Sequence, residues 1–153
     1  MAGLDYKLRM SAESLRELYK DAARAPGVMQ IELRRGIKKA GIRVQRAVAI
    51  RASGFSRQIP GKVKVRSSFA ARNPGVSIVV DDRSGEAAAL NNKNRAGTFR
   101  HPVFGDRENW VRQTAHPFFV SSAHPAAVAA AADISDVMDR VGQQLHFSGG
   151  TFR

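Results

Sequence analysis

The sequence predicts an α+β fold, in which an antiparallel sheet of about four strands packs against a long basic helix and a C-terminal helix. Apolar residues recur at helical spacing near residues 26–52 and again near residues 122–145, which is typical of helices with one buried face. Between these two stretches, apolar and polar residues alternate with the period of half-buried strands. The length of 153 residues suits one domain, and we expect residues 1–145 to form it.

The N-terminal segment predicts a short strand and then a short helix. Residues Leu4 to Met10 alternate weakly between apolar and charged side chains, which favours a strand. Ser11 suits the capping position of a helix, and apolar residues follow it at helical spacing. This helix is expected to end before Pro26.

The long helix is expected to begin at Pro26, which suits a first helical turn, and to end near Ala52 because Ser53 and Gly54 follow. On a helical wheel one stripe holds Met29, Leu33, Ile37, Ala40, Gly41, Val44 and Val48. Such a stripe predicts one face in the core.

The opposite face of this helix is basic and carries isolated isoleucines. The cations are Arg35, Lys38, Lys39, Arg43 and Arg46. Ile31, Ile42 and Ile50 project among them. Scattered surface isoleucines are ordinary in soluble proteins, and the alternative is that this face packs on a neighbouring subunit.

A hairpin is expected next. Val63 to Phe69 alternates apolar and polar residues, Asn73-Pro74-Gly75 turns the chain, and Val76 to Val80 returns as a more apolar strand. Ala87 to Leu90 suits a single helical turn. The polar segment Asn91 to Gly97 is expected to be a loop that orders only in an assembly.

The stretch from Phe99 to Phe119 is the most aromatic part of the chain. It holds the only Trp and four of the eight Phe, and aromatic side chains contribute the largest apolar areas to cores and interfaces. We expect strands at Phe99 to Phe104 and at Trp110 to Gln113, joined through Gly105 to Asn109. The expected structural aromatic core is Phe99, Phe104, Trp110 and Phe118.

The C-terminal helix is expected to have Ser122 as its cap and Pro125 near its first turn. Its apolar positions are Val128, Ala131, Ile134, Val137, Met138, Val141 and Leu145. The alanine-rich beginning favours close approach to the sheet. Residues 146–153 are rich in Gly and Ser, and a flexible arm is expected there.

The charge and the composition restrict the class of protein. Lys and Arg number 25 against 13 Asp and Glu, a net charge of +12, which favours contact with nucleic acid or with an acidic protein surface. The absence of Cys fits a reducing compartment. No apolar run approaches membrane-spanning length, so we expect no membrane contact and assembly in the cytoplasm.

No catalytic constellation is apparent, and we expect neither an enzyme nor a cofactor or metal site. His101, His116 and His124 each precede a proline, and their spacing is not that of metal ligands on one helix or hairpin. Asp81, Asp82 and Glu86 would be the carboxylates of a metal-dependent nuclease, but adjacent carboxylates after a strand are more often turn formers.

Three runs of the aromatic stretch carry a specific resemblance: Arg100-His101-Pro102-Val103-Phe104-Gly105, then Trp110-Val111-Arg112-Gln113, then Pro117-Phe118-Phe119. In this order, after a basic helix and a Val-rich hairpin, they resemble the tail-component family of long-tailed bacteriophages. The likeness covers the chain from about Ile31 to Val141. Members of that family are neck, tail-completion or tail-terminator proteins of the head-tail joining region.

The resemblance implies a structural virion protein that forms a homo-oligomeric ring, with six subunits as the expected number, between the capsid connector and the tail tube. A closed ring needs two different patches on each subunit. The candidate interface residues are Ile31, Lys38, Ile42, Arg43, Ile50, Asn92, Lys93 and Arg95. Genomic DNA would pass nearby, although most of the positive charge is expected to face acidic neighbours or solvent. The alternative is a small basic nucleic-acid-binding protein.

Overall fold

The computed structural model describes residues 4–8, 27–68, 75–91, 97–103 and 106–148, and it has the predicted α+β class. The elements in chain order are β1 (Leu4–Leu8), α1 (Gly27–Ser53), α2 (Ile59–Lys62), β2 (Val63–Ser68), β3 (Gly75–Val80), α3 (Glu86–Asn91), β4 (Thr98–Val103), β5 (Asp106–Thr114) and α4 (Phe119–Ser148). The helix expected between Ser11 and Pro26 lies outside the described residues. The short helix α2 was not predicted.

The predicted stripe of α1 forms the centre of the hydrophobic core. Of its members, Leu33, Ile37, Ala40, Gly41, Val44 and Val48 are buried, and the buried Ala52 extends the stripe by one turn. The helix ends at Ser53, one residue from the predicted end. Helical periodicity therefore predicted both the extent and the buried face of this element.

The predicted hairpin is confirmed as β2 and β3, which pair antiparallel with Val65 opposite Ile78. Strand β1 pairs with the other edge of β3, so the order in this part of the described structure is β1-β3-β2. The central strand is the most apolar of the three, and Val76, Ile78, Val79 and Val80 are all buried. A central strand with apolar residues on both faces suits this position.

The expectation of one sheet of about four strands is wrong in its detail. In the described residues, β4 and β5 pair only with each other and form a separate antiparallel ribbon. Pro102 lies within β4 and has no amide hydrogen, which restricts a strand to the edge of a sheet. Strand β5 begins at Asp106, so most of the segment expected to connect the strands belongs to β5 itself.

The start and the end of the C-terminal helix also differ from the prediction. Helix α4 begins at Phe119, and the side chain of Asn91 accepts hydrogen bonds from the amides of Phe118 (3.1 Å) and Phe119 (2.9 Å). Ser122 is therefore not the cap, and its hydroxyl donates to the carbonyl of Phe118 instead. The helix continues to Ser148 because the chain has no helix breaker there until Gly149. Residues 146–148, which were expected to belong to a flexible arm, are thus part of the helix.

Helix α1 lies very close to α4 at one glycine and very close to the sheet at another. A Cβ atom on Gly36 would lie 2.9 Å from Cγ2 of Val137 in α4, and one on Gly41 would lie 2.5 Å from Cγ1 of Val76 in β3. At the other end of α1, the ring of Phe55 lies 5.4 Å from that of Phe118. Helix α4 therefore runs antiparallel along α1, and its main partner is α1 rather than the sheet, contrary to the expectation.

Candidate interaction surfaces

The aromatic stretch divides into a buried part and an exposed part. Phe118 is fully buried and meets Phe119 edge to face at 6.4 Å, while Phe99 is half-buried against the core. The prediction of a structural aromatic core is thus confirmed for Phe118 and in part for Phe99. Phe104 lies outside the described residues.

Trp110 does not belong to the core, and the prediction is wrong for this residue. Its exposed fraction is 49%, and the indole Nε1 donates a hydrogen bond to the carbonyl of Arg107 at 2.7 Å. The reason is its position on β5, all nine residues of which are exposed. The sequence indicated a strand with a large apolar residue, but it did not indicate that this strand pairs outside the main sheet.

The β4–β5 ribbon exposes cations and an aromatic ring on one face. Arg100 lies directly opposite Arg112, and Pro102 lies opposite Trp110. Side chains two residues apart on a strand share a face, so these four residues form one surface, which we call the ribbon face. Like charges directly opposite one another destabilise a strand pair. Neither arginine forms an ion pair with a described residue.

The ribbon is attached to the rest of the molecule at its base. The amide of Ala115 donates a hydrogen bond to the carbonyl oxygen of Gly97 at 2.8 Å, and the amide of His116 donates one to the carbonyl oxygen of Leu90 at 2.7 Å. The ring of His116 stacks on Phe55 at 5.1 Å. All nine residues of β5 are exposed, whereas β4 is half-buried apart from Arg100 and holds Phe99 against the core. Strand β5 would therefore gain from a partner that buries its apolar side chains.

A second exposed surface is a groove of about 650 Å³ beside α1 and α4. We call it the basic groove, and its lining residues are Arg35, Lys38, Lys39, Ile42, Arg43, Arg46 and Asp133. Nη1 of Arg43 lies 2.6 Å from Oδ2 of Asp133 in an exposed ion pair. Of the candidate interface residues, the structure brings Lys38, Ile42 and Arg43 together here. The contribution of Asp133 was not foreseen, because only the fold shows which part of α4 crosses the basic face.

The remaining candidate interface residues do not join this groove. Ile31 and Ile50 are exposed, by 49% and 73%. They lie about 28 Å apart along α1 at 1.5 Å per residue, with the half-buried Ile42 between them. The three isoleucines thus form no continuous apolar patch. Asn92, Lys93 and Arg95 lie outside the described residues.

The carboxylates after β3 hold local structure together. Lys62 pairs with Asp82 at 2.8 Å, Lys64 pairs with Asp81 at 3.1 Å, and Glu86 accepts a hydrogen bond from Ser56 at 3.3 Å. Burial alone would raise the pKa of Asp82, but hydrogen bonds from Lys62, Ser84 and the amide of Ala87 hold that pKa well below its usual range. Asp82 thereby joins the end of β3 to the first turn of α3.

The described residues offer no arrangement for metal binding. Among them, no group of three or more His, Asp or Glu side chains is placed to hold a metal ion. Nδ1 of His101 lies 3.1 Å from the carbonyl oxygen of Pro102, which accepts a hydrogen bond from it in the Nδ1-protonated tautomer, and the ring lies against Phe99. In this part of the chain, no helix combines the length and the apolar character that spanning a bilayer requires.

The described residues thus form two exposed surfaces that are available to a partner, the ribbon face and the basic groove. Comparison of the chain with family models, with curated proteins and with solved structures finds no match.

Proposed function

We propose that the protein is a structural subunit of a tailed bacteriophage and forms a ring in the neck, in a tail-terminator or tail-completion role. The order of the Arg-His-Pro-Val-Phe-Gly run, the Trp-Val run and the Pro-Phe-Phe run along the chain supports the assignment to this class. The observation that carries the assembly role is the exposure of all nine residues of β5, with Trp110 half-exposed among them.

Strand β5 lies at the exposed edge of the ribbon and packs none of its nine residues into the core. A half-exposed tryptophan is among the residues that most often dominate binding at protein interfaces. Burial of the apolar surface of Trp110 against another copy would cover the ribbon face, which is exposed in the monomer.

A ring closes through heterologous contacts, in which one patch of a subunit meets a different patch of the next. The ribbon face around Trp110 and the end of α1 that exposes Ile50, outside the basic groove, are different elements with different chemistry, and they offer such a pair. A single self-complementary patch would instead favour a twofold dimer.

The position in the virion is tested by immunogold labelling of intact phage particles with antibodies raised against this chain. The proposal expects gold at the junction of head and tail, and no gold along the tail shaft or on the capsid faces. Absence of the chain from purified virions would contradict it. Recovery of the chain with host nucleic acid, and not with particles, would favour the alternative of a small basic nucleic-acid-binding protein.

A further inference from the structure

The basic groove concentrates positive charge that the described structure does not neutralise. Of its five cations, Arg43 pairs with Asp133. Arg35, Lys38, Lys39 and Arg46 form no ion pair with a described residue. The net charge of +12 disfavours docking of a second copy of this chain at such a site, so the groove favours an anionic partner of another kind.

The spacing of these cations matches a nucleic-acid backbone. They span residues 35–46, which is about 16 Å along the helix at 1.5 Å per residue. One strand of duplex DNA carries a phosphate about every 3.4 Å along the axis, so a segment of this length presents about five phosphates. The number of cations along this length thus matches the number of phosphates in a backbone segment of the same length.

The composition of the groove favours nucleic acid over an acidic protein. Two of its five cations are lysines, and lysine is depleted in the cores of protein interfaces but common at phosphates. Ile42 is its only apolar lining residue in the described structure, so an aromatic anchor for a protein partner is missing from it. Without an aromatic side chain it also lacks the stacking platform that single-stranded nucleic acid uses.

We infer that the basic groove binds the sugar-phosphate backbone of duplex nucleic acid without reading its sequence. This inference is independent of the ring proposal, since a single subunit holds the whole groove. Asp133 limits the affinity because it occupies Arg43 and repels phosphate. The groove thus has four available cations, and a fifth is released when Asp133 is neutralised.

The test is fluorescence anisotropy of two labelled 30-base-pair DNA duplexes of unrelated sequence, titrated with the full chain at several salt concentrations. With four phosphate contacts, the slope of log K against log salt is expected to be about −3.6, which is a loss of about 150-fold in affinity between 50 and 200 mM salt. Both duplexes should give the same result. Lys38→Gln with Lys39→Gln should reduce the slope to about −1.8.

Two further variants separate the groove from the overall charge. Asp133→Asn should bind more tightly than the wild type and steepen the slope to about −4.5. Arg57→Gln with Arg66→Gln removes the same charge from exposed residues outside the groove and should leave the slope at about −3.6. Circular dichroism before each titration checks that all variants are folded.

Three outcomes would overturn the inference. The first is equal loss of binding in the groove pair and the control pair, which would mean diffuse attraction by net charge. The second is unchanged or weaker binding by Asp133→Asn. The third is binding of polyglutamate at a salt concentration that abolishes DNA binding, with loss of that binding in the groove pair, which would identify an acidic protein as the partner.

Discussion

At some single residues, hydrogen bonds between distant parts of the chain form the caps and turns that the local sequence assigned to other residues. The first amides of α4 are capped by Asn91, which lies 27 and 28 residues before its donors, and Ser122 has no such role. A cap of this kind is not predictable from sequence, because capping preferences describe neighbours along the chain. Asp82, in the bend after β3, also accepts a hydrogen bond from a residue distant in sequence, Lys62. Its other donors, Ser84 and Ala87, are near neighbours.

The charge of Asp82 is expected to stabilise the fold at neutral pH. Because its pKa in the folded state lies below the unfolded value, its contribution is fully present above about pH 4 and is lost as the pH falls through the folded pKa. Asp82→Asn should lower the free energy of unfolding at pH 7 by about 1.5 to 3 kcal/mol, the usual value of hydrogen bonds to a charged group. Urea unfolding followed by circular dichroism measures this.

The exposed Asp81 is the matched control for this prediction. Asp81→Asn breaks a surface pair with Lys64, and surface pairs contribute little, so its effect at pH 7 should be clearly smaller. The difference between wild type and Asp82→Asn should shrink at pH 3. A difference that stays constant from pH 7 to pH 3 would show that the charge of Asp82 is not the cause.

At the scale of elements, periodicity predicted α1 and β2, because each buries one face and shows it in the spacing of its apolar residues, and the apolar run from Val76 to Val80 predicted β3. The ribbon was not predictable in this way. The sequence indicates a strand at Trp110 to Gln113, but the position of that strand relative to the main sheet depends on contacts distant in sequence. Trp110 was assigned to the core on its apolar area alone, and the structure places it at a surface. The candidate residues of the basic face were predicted, since a helical wheel fixes their angle, but Asp133 was not.

The close contact of α1 with the sheet depends on Gly41. A Cβ atom there would lie 2.5 Å from Val76 and 3.0 Å from Val65, so Gly41→Ala should push the helix from the sheet. Overpacking of this kind costs about 1 to 3 kcal/mol, which exceeds the gain of up to about 1 kcal/mol from better helix propensity. The variant should therefore unfold at a lower urea concentration than the wild type.

Gly142 in α4 is the control for this substitution. A Cβ atom there meets no other atom within 4 Å, so Gly142→Ala should stabilise the protein by up to about 1 kcal/mol through helix propensity alone. Opposite signs at the two glycines are the expected result. If Gly41→Ala were as stabilising as Gly142→Ala, the close approach of helix and sheet described above would be wrong.

On the scale of the whole molecule, the residues that stabilise the fold differ from the residues that form the exposed surfaces. Helix α1 contributes its apolar stripe to the core, where α4 and the sheet meet it, and its basic face to the groove. The ribbon adds little to that core beyond Phe99 and instead extends an uncovered strand with Trp110. A subunit built in this way is stable through α1 and its neighbours while its ribbon remains available to a partner. The central claim is that this partner is another copy of the chain.

The mass of the purified chain, measured by light scattering coupled to size-exclusion chromatography, tests this claim most directly. We expect a closed oligomer of three or more chains of 16.7 kDa each, and its loss in Trp110→Ala without loss of helical circular dichroism. Val128→Ala, which truncates an exposed valine of α4 outside both surfaces, should keep the oligomer. A wild-type monomer of 16.7 kDa, or an oligomer that survives Trp110→Ala unchanged, would contradict the account.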